Sequence, residues 1–186
     1  MSKTSIGDSL PQTSLAGLVL EGPVAHLTLR RDDVFNALNP QLIDDITQLL
    51  EWTKDRSVAE QGSLTDSSGA PFLRVVVLAG AGRHFCAGAD IDWMRASGAQ
   101  SAEENRADAA RLDRLFNSLH SHPCFTIGNV HGVALGGGAG LVACCDHVIF
   151  EQDARIALSE GKLGILPAVI GPYVHRRLGS AQTRRL

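Results

Sequence analysis

Several common signals are missing from this sequence. No apolar run among its 186 residues approaches the length that spans a bilayer. The stretch Met1 to Leu10 has neither a secretory apolar core nor an Arg-rich amphipathic pattern. Both absences point to a soluble, cytoplasmic chain with no membrane partner. A formal charge of -3, with Lys and Arg scattered, leaves no basic stripe for nucleic acid. The four cysteines form no CxxC pair or disulfide framework spacing. No helix face carries His at ligand spacing, so no metal site is expected. Gly80, Gly82 and Gly88 do not form GxGxxG, and no Gly-Lys-Ser/Thr follows a glycine run, which excludes the common nucleotide loops. A GxSxG nucleophile elbow is also absent.

The hydrophobic pattern then predicts alternating strands and helices. Val24 to Leu29 alternates at period two, as a strand does. Asn39-Pro40 supplies a cap and a first-turn proline, and Leu42, Ile43, Ile46, Leu49 and Leu50 follow at helical spacing. The polar, small stretch from Asp55 to Pro71 is a surface loop with room for a helical turn at its start. Arg74 to Ala79 is a continuous β-branched run, expected of a strand covered on both faces. Ser101 and Glu104 match a capping box, with Leu112, Leu115, Phe116 and Leu119 as the buried stripe behind it. Cys124 to Val130 reads as a strand, Gly138 to Cys145 as a short buried helix and His147 to Phe150 as a strand. This order is that of an α/β protein with crossover connections. The whole chain is read as one domain, with residues 1–20 a poorly ordered N-terminal segment.

Two glycine-containing turns carry the chemistry, His84-Phe85-Cys86-Ala87-Gly88-Ala89-Asp90 and Leu135-Gly136-Gly137-Gly138. Each lies between a predicted strand and a predicted helix. Small residues let a ligand approach the backbone, and a helix start leaves its first amides unpaired at the positive end of the dipole. Brought together, two such turns bind one developing oxyanion from two sides. Taken singly, each is equally what tight strand–helix packing requires.

Three segments in order, GAGRHFCAGADIDWM, VHGVALGGGAGLVACCD and ALSEGKLGILP, resemble the enoyl-CoA hydratase/isomerase (crotonase) family. RRDDVFNALN is similar to that family's early motif bordering the CoA site. The resemblance runs from about Val24 to the last residue, with the loop after Trp52 as an insertion. It implies a crotonase-like spiral of repeated ββα units and an acyl-CoA thioester as substrate. No further cofactor is implied, because coenzyme A is part of the substrate. A homotrimer, or a hexamer built as a dimer of trimers, is implied as the assembly. Position by position, Ala89 and Gly137 match the two oxyanion amides. Glu160 matches the acid/base that moves a proton at the α-carbon, and is expected to be buried beside Leu158, Leu163 and Ile165. Asp33, Val34 and Phe35, with His84, Cys86, Ala87, Asp90, Ile91, Asp92 and Gly136, match the surroundings of the CoA chain.

The departures are specific. Well-studied hydratases of the family carry a second glutamate where this chain has Gly140, which favours a one-carboxylate isomerase. Against that, the motifs look closest to methylglutaconyl-CoA-type hydratases, which share glycine at that position. The reading is therefore hydration of an α,β-unsaturated, branched glutaconyl-type acyl-CoA. Δ3-Δ2-enoyl-CoA isomerisation and a non-catalytic acyl-CoA-binding subunit are the alternatives. His131, Asp92 and Tyr173 are candidates for a second polar group, with blander readings favoured: a strand-end histidine, a first-turn residue and a packing aromatic. Lys162 or Arg95 is the candidate cation for a distal carboxylate. Family members continue with further helices past the point where this chain stops, so the C-terminal helical part is expected to be missing.

Overall fold

The computed structural model describes residues 9–184. The main sheet contains β1 (Ala16–Glu21), β2 (Val24–Leu29), β3 (Val75–Gly80), β4 (Phe125–Val130) and β6 (His147–Phe150), in that spatial order. Only β1 and β2 run antiparallel; the remaining neighbours are parallel. A second, two-stranded parallel sheet pairs β5 (Val133–Leu135) with β7 (Arg155–Ala157).

Two strands followed by a helix recur along the chain. β1 and β2 lead to α1 (Pro40–Asp55), β4 and β5 to α5 (Gly137–Cys144), and β6 and β7 to α6 (Gly171–Thr183). In the remaining unit β3 is followed by two isolated bridges, Cys86 with Ala134 and Ala89 with Leu38, before α3 (Ile91–Ser97) and α4 (Ala102–His120). The result is the expected α/β spiral of ββα units.

Local chemistry explains the helix starts. The Asn39 side chain accepts from the Leu42 amide at 2.9 Å, with Pro40 in the first turn. Ser101 and Glu104 close the expected reciprocal box on α4. Leu42, Ile43, Ile46, Leu49 and Leu50 of α1 are all buried, as are Leu115, Phe116 and Leu119 of α4. A short helix α2 (Val58–Gln61) opens the loop after α1.

Some expectations need correction. Residues 1–20 are not wholly unordered: β1 takes in residues 16–20, and Ala16 and Leu18 are buried in the core. Its entry is fixed by buried Asp45, whose carboxylate accepts from the Ser14 and Leu15 amides at 3.0 and 2.6 Å. Residues 1–8 lie outside the described residues. β3 runs to Gly80 and β4 begins at Phe125, one residue from the expected bounds, and α5 begins at Gly137 rather than Gly138. The three-residue strands β5 and β7 were not expected from pattern alone. No helix among the described residues is long and apolar enough to cross a membrane.

Candidate active site

Three remote segments meet at one place. The loop after β3 runs beside β5, with the Cys86 amide donating to the Val133 carbonyl at 3.0 Å and the Leu135 amide to the Cys86 carbonyl at 3.0 Å. Gly88, at φ 101°, lies so close to the second turn that a Cβ there would sit 2.9 Å from the Leu135 carbonyl oxygen. The third segment, residues 31–38, joins the same loop from the opposite side. The Leu38 amide donates to the Gly88 carbonyl at 2.7 Å, and the Asp90 amide to the Leu38 carbonyl at 2.9 Å.

This pairing leaves a donor over. Ala89 is the residue bridged in parallel to Leu38. Because successive residues of an extended segment alternate in direction, its own N–H points away from Leu38. Gly137 is the first residue of α5, whose amide has no acceptor within the helix. Among the described residues, neither the Ala89 nor the Gly137 amide donates to an internal backbone acceptor. Two unpaired donors thus lie on adjacent turns.

Glu160 joins them. It opens the 3-10 turn Glu160–Leu163, and its Oε1 would lie 3.0 Å from a Cβ placed on Gly136. A side chain there would crowd the Glu160 carboxyl, and Gly136 also has φ 47°, a left-handed conformation that favours glycine. The other carboxyl oxygen, Oε2, is buried with no hydrogen-bond partner. An unpaired buried carboxyl oxygen is costly, and such exceptions call for a functional explanation. The expected apolar surround is incomplete: Leu158 is partly buried, but Leu163 and Ile165 are exposed.

The other predicted residues divide between backbone and side chain. Asp33 and Val34 lie in the 3-10 turn Asp32–Val34, and Phe35 follows at φ 57°. Val34 and Phe35 are exposed, and the Phe35 ring meets the His84 ring edge-on at 5.0 Å. His84 Nδ1 is itself buried and unpartnered. The Ala87 amide donates to the Phe35 carbonyl at 2.9 Å, tying the two segments. Cys86 is wholly buried, and burial pushes its thiol up to about 12, so it contributes through its backbone.

Asp90 is a structural carboxylate. It caps α3 by accepting from the Asp92 and Trp93 amides at 2.8 and 3.1 Å, and it pairs with Arg31 at 2.6 Å. Burial pulls its pKa upward, but the Arg31 hydrogen bond, the two helix amides and the Arg31 charge outweigh this and hold it below the ordinary carboxylate range. Ile91 is exposed, and Asp92 forms an exposed pair with Arg95 at 3.0 Å.

The blander readings therefore describe the remaining candidates. His131 Nε2 lies 3.0 Å from the Gly82 carbonyl at a strand end. Tyr173 donates to Asp113 at 3.3 Å and packs against Phe116 and His120. Arg95 is engaged with Asp92, and Lys162 is exposed.

Two residues were not anticipated. Asn36 is completely buried and bonds three segments together, and Arg31 reaches both Asp90 and the Ala37 carbonyl. The visible signal was the first asparagine of NALN, three residues before the Asn39 cap, in an otherwise apolar setting.

Gly140 is the most informative departure. A Cβ at this position would lie 2.6 Å from Ile170 Cγ2 and 3.0 Å from Phe116 Cε1. The space that a second carboxylate would need is already filled by hydrocarbon.

Comparison with known proteins identifies the family. The family model described as enoyl-CoA hydratase/isomerase matches residues 20–186. The chain belongs to that family. A provisionally named enoyl-CoA hydratase of Thermus thermophilus is 32% identical over 168 residues, covering 90% of this chain and 61% of that protein. The enoyl-CoA hydratase AKT6-1 of Alternaria alternata is 31% identical, covering 86% of this chain and 47% of that one. The crystal structure of an enoyl-CoA hydratase from Shewanella pealeana superposes with a TM-score of 0.82 at 37% identity, covering 94% of this chain and 60% of that one. The chain thus spans about half to three fifths of the length of these family members.

Proposed function

We propose that the chain acts on acyl-CoA thioesters, adding water to an α,β-unsaturated acyl group. The observation that carries this reading is the buried, unpartnered Glu160 Oε2 beside Gly136, one residue from the unpaired Gly137 amide. The names of the relatives point to the same reaction. In this mechanism the Ala89 and Gly137 amides hold the thioester oxygen as negative charge develops on it. One such donor contributes about 3 kcal/mol to the transition state. Water oxygen bonds to the β-carbon, Glu160 delivers a proton to the α-carbon, and the carboxyl recovers a proton from the water. General acid–base help of this kind contributes roughly a hundredfold or more. A branched glutaconyl-type acyl group and assembly into trimers or hexamers belong to the same proposal.

A second reading is favoured by one observation, the hydrocarbon packed against Gly140. With no second carboxylate to hold water, Glu160 would instead take a proton from C2 of a 3-enoyl-CoA and return it at C4. Incubating 2-enoyl-CoA and 3-enoyl-CoA with the chain in ¹⁸O-water separates the two. Hydration places ¹⁸O on the β-carbon of the 2-enoyl substrate. Double-bond migration without ¹⁸O uptake would establish isomerisation instead. Binding of the thioesters, with no turnover and no exchange of the α-hydrogens of butyryl-CoA in deuterated water, would make the chain a non-catalytic binder.

A further inference from the structure

We propose that Asn36 is a positioning residue that sets the direction of the Ala89 amide. The inference rests on the thioester reading and adds to it a device that no substrate-facing group reveals.

Asn36 is 0% exposed, and its side-chain amide spends both hydrogens and its oxygen on backbone. Nδ2 donates to the Ala81 and His84 carbonyls, each at 2.8 Å. Oδ1 accepts from the Arg31 amide at 2.9 Å, and the Asn36 amide returns a bond to the Arg31 carbonyl at 2.8 Å. One planar group therefore clamps residue 31 to the loop at 81 and 84, on either side of its tip.

The backbone at this point is unusual. Phe35 and Asn36 are the two non-glycine residues with positive φ among the described residues, at 57° and 55°. Asparagine tolerates the left-handed region better than most residues, yet two in succession persist only where the surroundings impose them. The reversal turns the chain so that the Phe35 carbonyl accepts from Ala87 and Leu38 brackets Ala89 through Gly88 and Asp90. The direction of the Ala89 N–H is then a consequence of the Leu38 register, and that register follows from the Asn36 clamp. The Arg31–Asp90 pair closes the far end of the same bracket.

Asn36 touches no reacting atom in this scheme. Its removal should leave a folded chain whose amide is misaimed, and misplacement on the scale of an ångström costs roughly a hundredfold in rate. The readout is the infrared carbonyl band of butyryl-CoA carrying ¹³C at its thioester carbon, bound to the full chain. Hydrogen bonds to that oxygen lower the band.

Two variants are compared with the parent chain. Asn36→Gly keeps the left-handed backbone and deletes the clamp, whereas Asn36→Asp keeps the Arg31 acceptor and loses the two donors. The expected result is native circular dichroism, a carbonyl shift reduced in both variants, and α-hydrogen exchange roughly a hundredfold slower with KM little changed. A folded variant with the full shift and full exchange rate overturns the proposal. So does failure of both variants to fold, because Asn36 would then have no positioning role separable from stability. If the parent chain binds the thioester without any carbonyl shift, the thioester reading itself is overturned, and this inference with it.

Discussion

The packing around Gly140 makes a quantitative test of the site. Gly140 lies inside α5, where replacing glycine by alanine ordinarily stabilises a helix by about 1 kcal/mol. Here the new methyl would meet Ile170 Cγ2 at 2.6 Å and Phe116 Cε1 at 3.0 Å. Both neighbours are buried, so neither is the free end of a flexible chain. Overpacking of this kind costs typically about 1–3 kcal/mol, so Gly140→Ala should be neutral to about 2 kcal/mol destabilising. Gly140→Glu forces a carboxylate against the hydrocarbon of Ile170 and Phe116, which costs several kcal/mol more. Ile170→Ala alone should cost about 2–5 kcal/mol through the cavity it leaves. In that background Gly140→Ala should become stabilising, because the methyl then occupies vacated space. The assay is urea unfolding of the four members of the double-mutant cycle, with a favourable coupling of about 1 kcal/mol or more expected. Stabilisation by Gly140→Ala alone, with zero coupling, would refute the claim that hydrocarbon fills the second-carboxylate position.

Further outcomes follow from the same physical picture. Glu160→Gln should slow α-hydrogen exchange by roughly a hundredfold or more while leaving the unfolding midpoint unchanged; parent-like exchange would remove Glu160 from the chemistry. Asp45→Ala should lower stability by roughly 2 kcal/mol or more, since a buried charged acceptor of the Ser14 and Leu15 amides is lost. Its hydrogen-exchange signature is faster exchange confined to residues 13–21, and uniform exchange would contradict the anchoring role. His122 is held neutral: burial lowers its pKa, and its Nδ1 accepts from the Cys124 amide at 3.1 Å. With the folded pKa below the unfolded value of about 6.5, its contribution is present above that pH and lost as pH falls through the folded value. Replacing His122 by Asn should flatten the loss of stability from neutral to mildly acid pH, and an unchanged slope would speak against this. Burial raises the thiols of Cys86 and Cys145 to about 12 and that of Cys124 to about 11, with Cys144 pushed up as well. None should react with Ellman's reagent at pH 8 before unfolding, and prompt labelling of any would contradict the packing.

Where local chemistry decides an element, the sequence was enough. Asn39-Pro40 and the Ser101–Glu104 box place α1 and α4, because a cap is a contact between residues three apart. β5 and β7 are three residues each and exist only through mutual pairing, which no local window contains. β1 escaped because it is held by Asp45, some thirty positions away. The proposed site was legible in a similar measure. Backbone amides have no side-chain signature, so Ala89 and Gly137 were visible only through the glycine turns and the family resemblance. Glu160 was identified by resemblance too, but its surround was not, since Leu163 and Ile165 face outward in an irregular stretch with no periodicity to read. Asn36 looked like one more polar residue near a helix start, because two of its three partners, Ala81 and His84, come from remote positions.

The two halves of the site are anchored unequally. The amide-bearing turns are stitched into a ladder beneath a buried asparagine, whereas the glutamate sits on a short turn flanked by Leu163, Ile165 and Leu166, all facing outward. Mild denaturant should therefore peel off the proposed proton-transfer half first and spare the proposed grip on the thioester oxygen. A partly loosened molecule would still hold its ligand while doing nothing to it, so occupancy and turnover would melt at different points.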